Sequence, residues 1–204
     1  MSPIALLSTA YLPPVHYFTK LFTYPQVMIE QMDHYVKQTY RNRCVIAAPD
    51  GPLALTIPTV KPDTEKCPLR DIRISDHGNW RHLHWHALLS AYGESPFFEY
   101  YADDLQPFFE RKWEFLFDFN YEITCKVCEL LDVRPTLTLS TGYQSAQGQE
   151  ADYRDAIRPK HPLPDAQFEA KPYYQVYRQK HGFLPNLSIL DLLFNEGNEA
   201  ILYL

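Results

Sequence analysis

The chain has 204 residues and a formal net charge of −6 at pH 7. This length is enough to close one hydrophobic core, so we predict a single domain over residues 1–204. The negative charge argues against nonspecific nucleic-acid binding, which relies on lysine and arginine neutralising phosphates. The apolar start lacks a charged segment and is ended by Pro13 and Pro14, which indicates no signal peptide and no membrane span. Together with four irregularly spaced cysteines, this predicts a cytoplasmic protein.

The first half of the chain favours strands. Short apolar or alternating runs predict strands at residues 4–11, 27–30 and 71–75, with a helix over residues 15–24. Two further β-prone runs flank the sequence Pro-Asp-Gly-Pro, which favours a tight turn. We therefore predict a hairpin, with strands over residues 40–48 and 53–60 and the first strand beginning near Lys37.

The second half favours helices. In the longest predicted helix, apolar residues recur at three- and four-residue steps from Leu116 to Leu131, which predicts one face packed on a sheet. Ser188 and Asp191 suit the cap of a final helix. The polar, proline-containing residues 142–172 are long for a connection, which favours a lid or binding loop. The predicted helices cover residues 80–92, 98–109, 113–131 and 187–195, and a strand covers residues 136–140.

These elements predict an α+β fold. It contains a mixed or antiparallel β-sheet with a hairpin, covered by a helical layer. The sequence has neither the phosphate-binding loop of P-loop NTPases nor the glycine fingerprint of dinucleotide-binding folds, and we predict no cofactor.

Several short motifs occur in a fixed order along nearly the whole chain. They are Tyr11-Leu-Pro-Pro with His16-Tyr17, Arg41-Asn42-Arg43, Leu55-Thr-Ile-Pro58, Trp80-Arg81 with His84, Tyr92, Pro96-Phe97-Phe98, Tyr174-Gln175, Gly182-Phe183 and Leu187 to Asn195. Together these motifs resemble the WbqC-like family. The family often carries Gln before the proline-rich motif, where this chain has Ala10-Tyr11. The resemblance implies a role on glycan precursors in bacterial lipopolysaccharide and capsule biosynthesis, with transfer of an acyl or aminoacyl group to an amino sugar nucleotide as a candidate reaction.

A polar row on the first hairpin strand is the leading binding candidate. If the strand begins near Lys37, the two-residue period places Lys37, Thr39, Arg41 and Arg43 on one face. Guanidinium forks suit the paired oxygens of phosphate or carboxylate, so we expect a nucleotide sugar or another anionic small molecule. Asn42, in the motif Arg41-Asn42-Arg43, is a further substrate-binding candidate. The alternative is a solvated sheet face whose charges form weak ion pairs.

His84 is the predicted catalytic residue. It belongs to the motifs of the family resemblance, and the ordinary pKa of histidine lies near neutrality, as a general base requires. The alternative is a buried helical histidine that bonds a carbonyl group. The predicted substrate-binding set also includes Trp80 from the same motif, and Tyr174 and Gln175 after the long polar segment.

The other histidines and cysteines give weaker indications of a functional site. His82 and His86 lie one helical turn apart, but no third ligand is evident, and we predict no metal site. Cys44 and Cys67 have no neighbouring histidine in the sequence, so the sequence leaves a reactive thiol open.

The sequence therefore leaves two alternative functions. The first is an enzyme on activated sugars, in which Lys37, Arg41 and Arg43 hold the anionic portion and His84 assists proton transfer. The second is a non-catalytic binding or scaffold protein of the same pathway that recognises a partner through aromatic surface. Convergence of these four residues in one pocket favours the enzyme, whereas their separation together with a flat exposed aromatic patch favours the partner-binding protein. The sequence does not predict an oligomeric state.

Overall fold

Three short strands form a parallel sheet in the order β1, β2, β5, and two more form a separate antiparallel hairpin. The computed structural model describes residues 3–64, 66–145 and 151–204. The combination of helices with a small parallel and a small antiparallel sheet confirms the predicted fold class. Within these ranges the strands are β1 Ala5–Ser8, β2 Gln26–Glu30, β3 Arg43–Ala48, β4 Gly51–Thr56 and β5 Thr136–Leu139.

The helices follow the predicted apolar periodicities closely. Helix α1 connects β1 to its parallel neighbour β2, because a parallel pair requires a crossover. The cap of α6 is confirmed in part, since the Ser188 hydroxyl oxygen accepts from the backbone N–H of Leu190. In the described ranges, every helix is too short or too polar to cross a membrane. The helices are α1 Val15–Thr23, α2 Trp80–Tyr92, α3 Phe98–Glu110, α4 Leu116–Leu130, α5 Arg178–His181 and α6 Ile189–Glu196.

The start of the hairpin differs from its prediction. Residues 37–42 form turns, and the strand begins only at Arg43. Gln38 has a φ of 59°, which lies in the left-handed region and is incompatible with an extended strand. The Thr39 hydroxyl donates to the carbonyl of Val36 at 2.8 Å and closes the turn. The predicted one-sided row from Lys37 to Arg43 is therefore wrong.

The predicted strand at residues 71–75 is also wrong. Leu69–Asp71 form a single turn of 3-10 helix, and the following residues make isolated bridges. Arg73 bridges Phe115 and Ile74 bridges Thr59, so the segment joins the hairpin to α4 without forming a ladder.

Part of the predicted long loop extends the parallel sheet. Leu6 donates its N–H to the carbonyl of Ala151 at 2.8 Å, and Tyr153 donates to the carbonyl of Leu6 at 3.0 Å. Residues 151–153 therefore bridge β1 at Leu6, the chain turns away after them, and Ala151, Tyr153 and Ile157 are buried. Residues 146–150 of the predicted loop lie outside the described residues.

Candidate functional site

A polar cleft lies beside the carboxyl end of β1, and we call it the strand-end cleft. Ligands in parallel α/β sheets bind at this end, because loops there leave the strands in different directions. The cleft has a volume of about 230 Å³. Its lining is Leu7, Ser8, Thr9, Ala10, Tyr17, Asp33, Val36, Thr39, Tyr40, Arg41, Tyr143, Tyr153, Arg154, Asp155, Ile157 and Arg158.

Arg41 is the most enclosed cation on the β2–β3 side of the cleft, and only 12% of its side chain is exposed. Its Nη2 donates to the Asp33 carboxylate at 2.5 Å and to the Ser8 hydroxyl at 3.3 Å. Its backbone carbonyl accepts from Asn120 on α4 at 2.7 Å. Its Nε, by contrast, is buried without an acceptor in the described part of the chain. Arg41 therefore has a fixed backbone and one unused donor.

Arg154 is a second enclosed cation, with 8% of its side chain exposed. Its guanidinium forms a fork with the Asp152 carboxylate, with Nη2 to Oδ2 at 2.7 Å and Nε to Oδ1 at 3.0 Å. Its Nη1 also lies 3.6 Å from the carboxylate of Glu30, which is fully buried at the end of β2. Several charge-assisted contacts thus fix the orientation of this guanidinium.

Tyrosines supply most of the aromatic surface of the cleft: Tyr17, Tyr40, Tyr143 and Tyr153. The Arg154 guanidinium lies 5.4 Å from the centre of the Tyr143 ring. Burial raises the pKa of Tyr17 and Tyr40, so both phenols keep their protons near neutral pH. The cleft thus combines rings with hydroxyl donors, ordinary features of small-molecule sites.

The residues of the predicted polar row separate. Thr39 and Arg41 line the strand-end cleft, whereas Lys37 is exposed outside the lining as the described residues define it. Arg43 lies on β3 and donates to the Thr56 hydroxyl at 3.1 Å. Asn42 is buried and donates to the carbonyl of Ile57 at 2.9 Å, which holds the base of the hairpin.

His84 lies in a buried aromatic cluster instead of in the cleft lining. A hydrogen bond of 2.8 Å joins its Nδ1 to the Tyr11 hydroxyl, and a second one joins the imidazole to the backbone of Thr56. Burial lowers the pKa of His84 to about 4, against the smaller opposite effect of the Thr56 bond. Trp80 is buried edge-on against His84, at 5.2 Å between ring centres. The predicted convergence of Lys37, Arg41, Arg43 and His84 is therefore wrong.

Gln175 and Tyr174 lie in a third place. Gln175 is buried and donates to the carboxylate of Asp191 at 2.8 Å, while Tyr174 is half exposed. The fully buried Asp191 carboxylate also accepts from the hydroxyls of Tyr92, at 2.9 Å, and Tyr173, at 2.6 Å. Burial raises the pKa of Asp191, against the effect of these three donors. This set joins α6 to α2 and to the segment before α5.

The other histidines and the cysteines form no such set. His82 and His86 are exposed neighbours on α2, with ring centres 4.0 Å apart. No group of three or more His, Cys, Asp and Glu suited to a metal ion occurs among the described residues. Burial raises the pKa of Cys44 and of Cys67, so both thiols stay protonated near neutral pH.

Asp33, Glu30, Arg154 and Arg158 line or support the cleft but were absent from the predicted set. A signal for Glu30 does exist in the sequence, because it is the first charged residue after a buried β-run. Polar residues at the carboxyl ends of parallel strands often serve ligands. Arg154 carries no comparable signal, since it lies in a polar segment with no periodicity.

Comparisons with known proteins place the chain in a protein family. Residues 9–158 and 165–203 match the model of the WbqC-like protein family. The chain is also 28% identical over 227 aligned positions to uncharacterized protein Rv1507c of Mycobacterium tuberculosis (strain ATCC 25618 / H37Rv), covering 100% of this chain and 98% of that protein. No solved structure matches the chain significantly. Because the family model covers nearly the whole length, the resemblance is confirmed, and the chain belongs to the WbqC-like protein family.

Proposed function

We propose that this protein acts on nucleotide-activated sugars in the biosynthesis of bacterial surface-polysaccharide precursors, and that the strand-end cleft holds the substrate. The pathway comes from the family resemblance, and the site comes from the geometry. The observation that carries the proposal furthest is the placement of two enclosed guanidinium groups, those of Arg41 and Arg154, in the lining of one cleft. Guanidinium groups form strong charge-assisted hydrogen bonds with phosphate oxygens, so two of them in one cleft favour a phosphate-bearing ligand.

The pairing of charges in the cleft favours a sugar nucleotide over a bare anion. Arg41 contacts Asp33, and Arg158 contacts Asp155 at 2.9 Å, so the arginines are partly neutralised. A ligand that carries both phosphates and hydroxyls satisfies both partners, because phosphate oxygens accept from guanidinium groups and sugar hydroxyls donate to carboxylates. The tyrosine rings add apolar faces against which a sugar or base ring packs.

The proposed reaction is transfer of an acyl or aminoacyl group to the amine of the bound sugar. The amine nitrogen attacks the carbonyl carbon of an activated donor, the bond to the leaving group breaks with its electron pair staying on that group, and the leaving group or water takes the proton that the nitrogen loses. We give His84 no part in removing that proton. Its imidazole is buried behind Tyr11 and Trp80, and its pKa of about 4 makes it a weak base.

Calorimetric titration with UDP-glucosamine and other nucleotide-linked sugars that carry a free amine tests the proposal. Arg41→Gln keeps a polar side chain but loses the charged fork, and we expect its dissociation constant to rise at least tenfold. Arg43→Ala is the matched control, because Arg43 lies outside the cleft lining as described, and its affinity should match the wild type.

Equal affinity in Arg41→Gln and wild type would place the ligand elsewhere. A wild-type protein that binds none of these compounds would contradict the proposal and favour a non-catalytic scaffold.

A further inference from the structure

The fully buried carboxylate of Glu30 lies where three separate segments of the chain meet. It belongs to the last residue of β2, the central strand of the parallel sheet. Its Oε1 accepts from the backbone N–H of Met32 at 2.7 Å and from the Ser140 hydroxyl at 2.6 Å. Its Oε2 accepts from the backbone N–H of Gln144 at 2.8 Å. The carboxylate thus holds the segment that follows β5.

The same Oε2 is the atom that lies 3.6 Å from Nη1 of Arg154. Arg154 enters from the segment beside β1, and Tyr143 comes from the segment after β5 that Glu30 holds through Gln144. The Arg154 guanidinium and the Tyr143 ring face each other across 5.4 Å, and both line the strand-end cleft. One side chain behind the cleft therefore connects both members of this pair.

We infer that Glu30 is a positioning residue, which fixes the Arg154 guanidinium and the Tyr143 segment so that they form one ligand-binding wall of the strand-end cleft. This inference rests on the proposed function of that cleft. Glu30 is completely enclosed, so it acts on a ligand only through Arg154 and the Tyr143 segment. Asp152 supplies the stronger direct contact to Arg154, while Glu30 contacts both that arginine and the Ser140–Gln144 side. Buried, multiply bonded acceptors of this kind hold binding groups in place.

Glu30→Gln tests the inference because it keeps the size of the side chain and replaces one accepting oxygen by an amide that donates. The four donors around Glu30 then face only one acceptor, so the wall loses its fixed geometry. We expect the dissociation constant for UDP-glucosamine to rise at least tenfold. In an Arg154→Met background, the same substitution should change the constant much less than in the wild type, because one of the two groups that Glu30 positions is already gone, and an equal change in both backgrounds would overturn the inference.

Asp191→Asn is the matched control. Asp191 is equally buried and also accepts from three donors, but its partners Tyr92, Tyr173 and Gln175 lie outside the cleft lining as described. We expect it to lower the melting temperature about as much as Glu30→Gln while changing the dissociation constant less than twofold. Loss of affinity that merely follows loss of stability would appear in both variants and overturn the inference.

Two further outcomes decide the remaining cases. If Glu30→Gln does not fold, Ser140→Ala removes one donor to the same carboxylate, and an affinity loss below twofold in that variant overturns the inference. If the wild type binds no nucleotide sugar, the proposed function fails separately. The positioning role is then judged by the NMR resonance of the Arg154 Nε–H. That resonance should shift in Glu30→Gln and stay in place in Asp191→Asn; an unchanged resonance in Glu30→Gln overturns the inference.

Discussion

The strand-end cleft and the cluster around His84 both contain polar side chains from the motifs of the family resemblance, but the surroundings of these side chains differ. In the cleft, the side chains of Arg41 and Arg154 line open volume. In the cluster, His84 is hydrogen-bonded within the protein and lies among the rings of Tyr11 and Trp80. The contrast teaches that a polar residue on a buried helix face serves stability when the protein itself surrounds it on all sides. A residue that binds a ligand must also face open volume.

The largest effect that would sharpen this contrast is on stability at His84. Replacing His84 by Ala removes a buried ring and leaves the Tyr11 hydroxyl unpaired, so we expect the free energy of unfolding to fall by about 3 to 5 kcal/mol. Chemical denaturation measures it. Leu83→Ala on the same helix is the control, because Leu83 is 59% exposed and should change stability by less than about 0.5 kcal/mol. A loss of similar size at both positions would refute the packing role.

The next effect is pH dependence. Burial lowers the pKa of His84 from 6.5 to about 4. Between these pH values His84 binds a proton in the unfolded chain but not in the folded protein. The free energy of unfolding therefore has its full His84 contribution above pH 6.5, and this contribution falls as the pH drops toward 4. The His84 contribution to this fall is about 3 kcal/mol. Denaturation of wild type and His84→Gln from pH 7 to 4 isolates it, since His16, whose pKa burial also lowers, is common to both. Parallel profiles would contradict the assignment.

A smaller stability effect is expected at Arg41. Arg41→Ala breaks the contact with Asp33, but the backbone remains held by Asn120, so we expect a loss of about 1 to 2 kcal/mol. Its ligand affinity should fall much more than its stability. Thermal unfolding and calorimetry on one preparation compare the two. A stability loss as large as that of His84→Ala would make Arg41 a structural residue as well.

The smallest effects are expected at the cations outside the cleft. Lys37→Ala and Arg43→Ala remove exposed or half-exposed charges, and each should change the free energy of unfolding by at most about 0.5 kcal/mol. Both should bind nucleotide sugars like the wild type. Weaker binding in either variant would extend the site beyond the present cleft and blur the contrast with Arg41.

Local pattern explains which parts of this fold were predictable. The α2 boundaries, Trp80–Tyr92, agree with the prediction because they depend on contacts three and four residues apart. The turns of residues 37–42 were missed because Gln38 in the left-handed region has no marker in the sequence. Since strands alternate their faces, that one turn invalidated the whole predicted row.

The cleft itself depends on pairing between distant segments. Ser8, Asp33, Arg41 and Arg154 meet only because β1 pairs with β2 and the segment after Ala151 adds to β1. Such pairing has no local signature, so the sequence supplied Arg41 and Thr39 but not their neighbours. The family resemblance predicted the family correctly, because it rests on the order of many short motifs along the chain.

Helix α6 has a consequence for how the protein is made. Residues Ile189 to Asn195 are all buried, and their start is tied to the first quarter of the chain through Ile189 to Pro13 and Ser188 to Val45, each with a backbone bond of about 3 Å or less. A ribosome delivers the N-terminal partners first, at about 5 to 20 residues per second. The apolar surfaces of α1 and the hairpin that α6 covers therefore stay exposed until α6 has left the ribosome, and this part of the core closes only then.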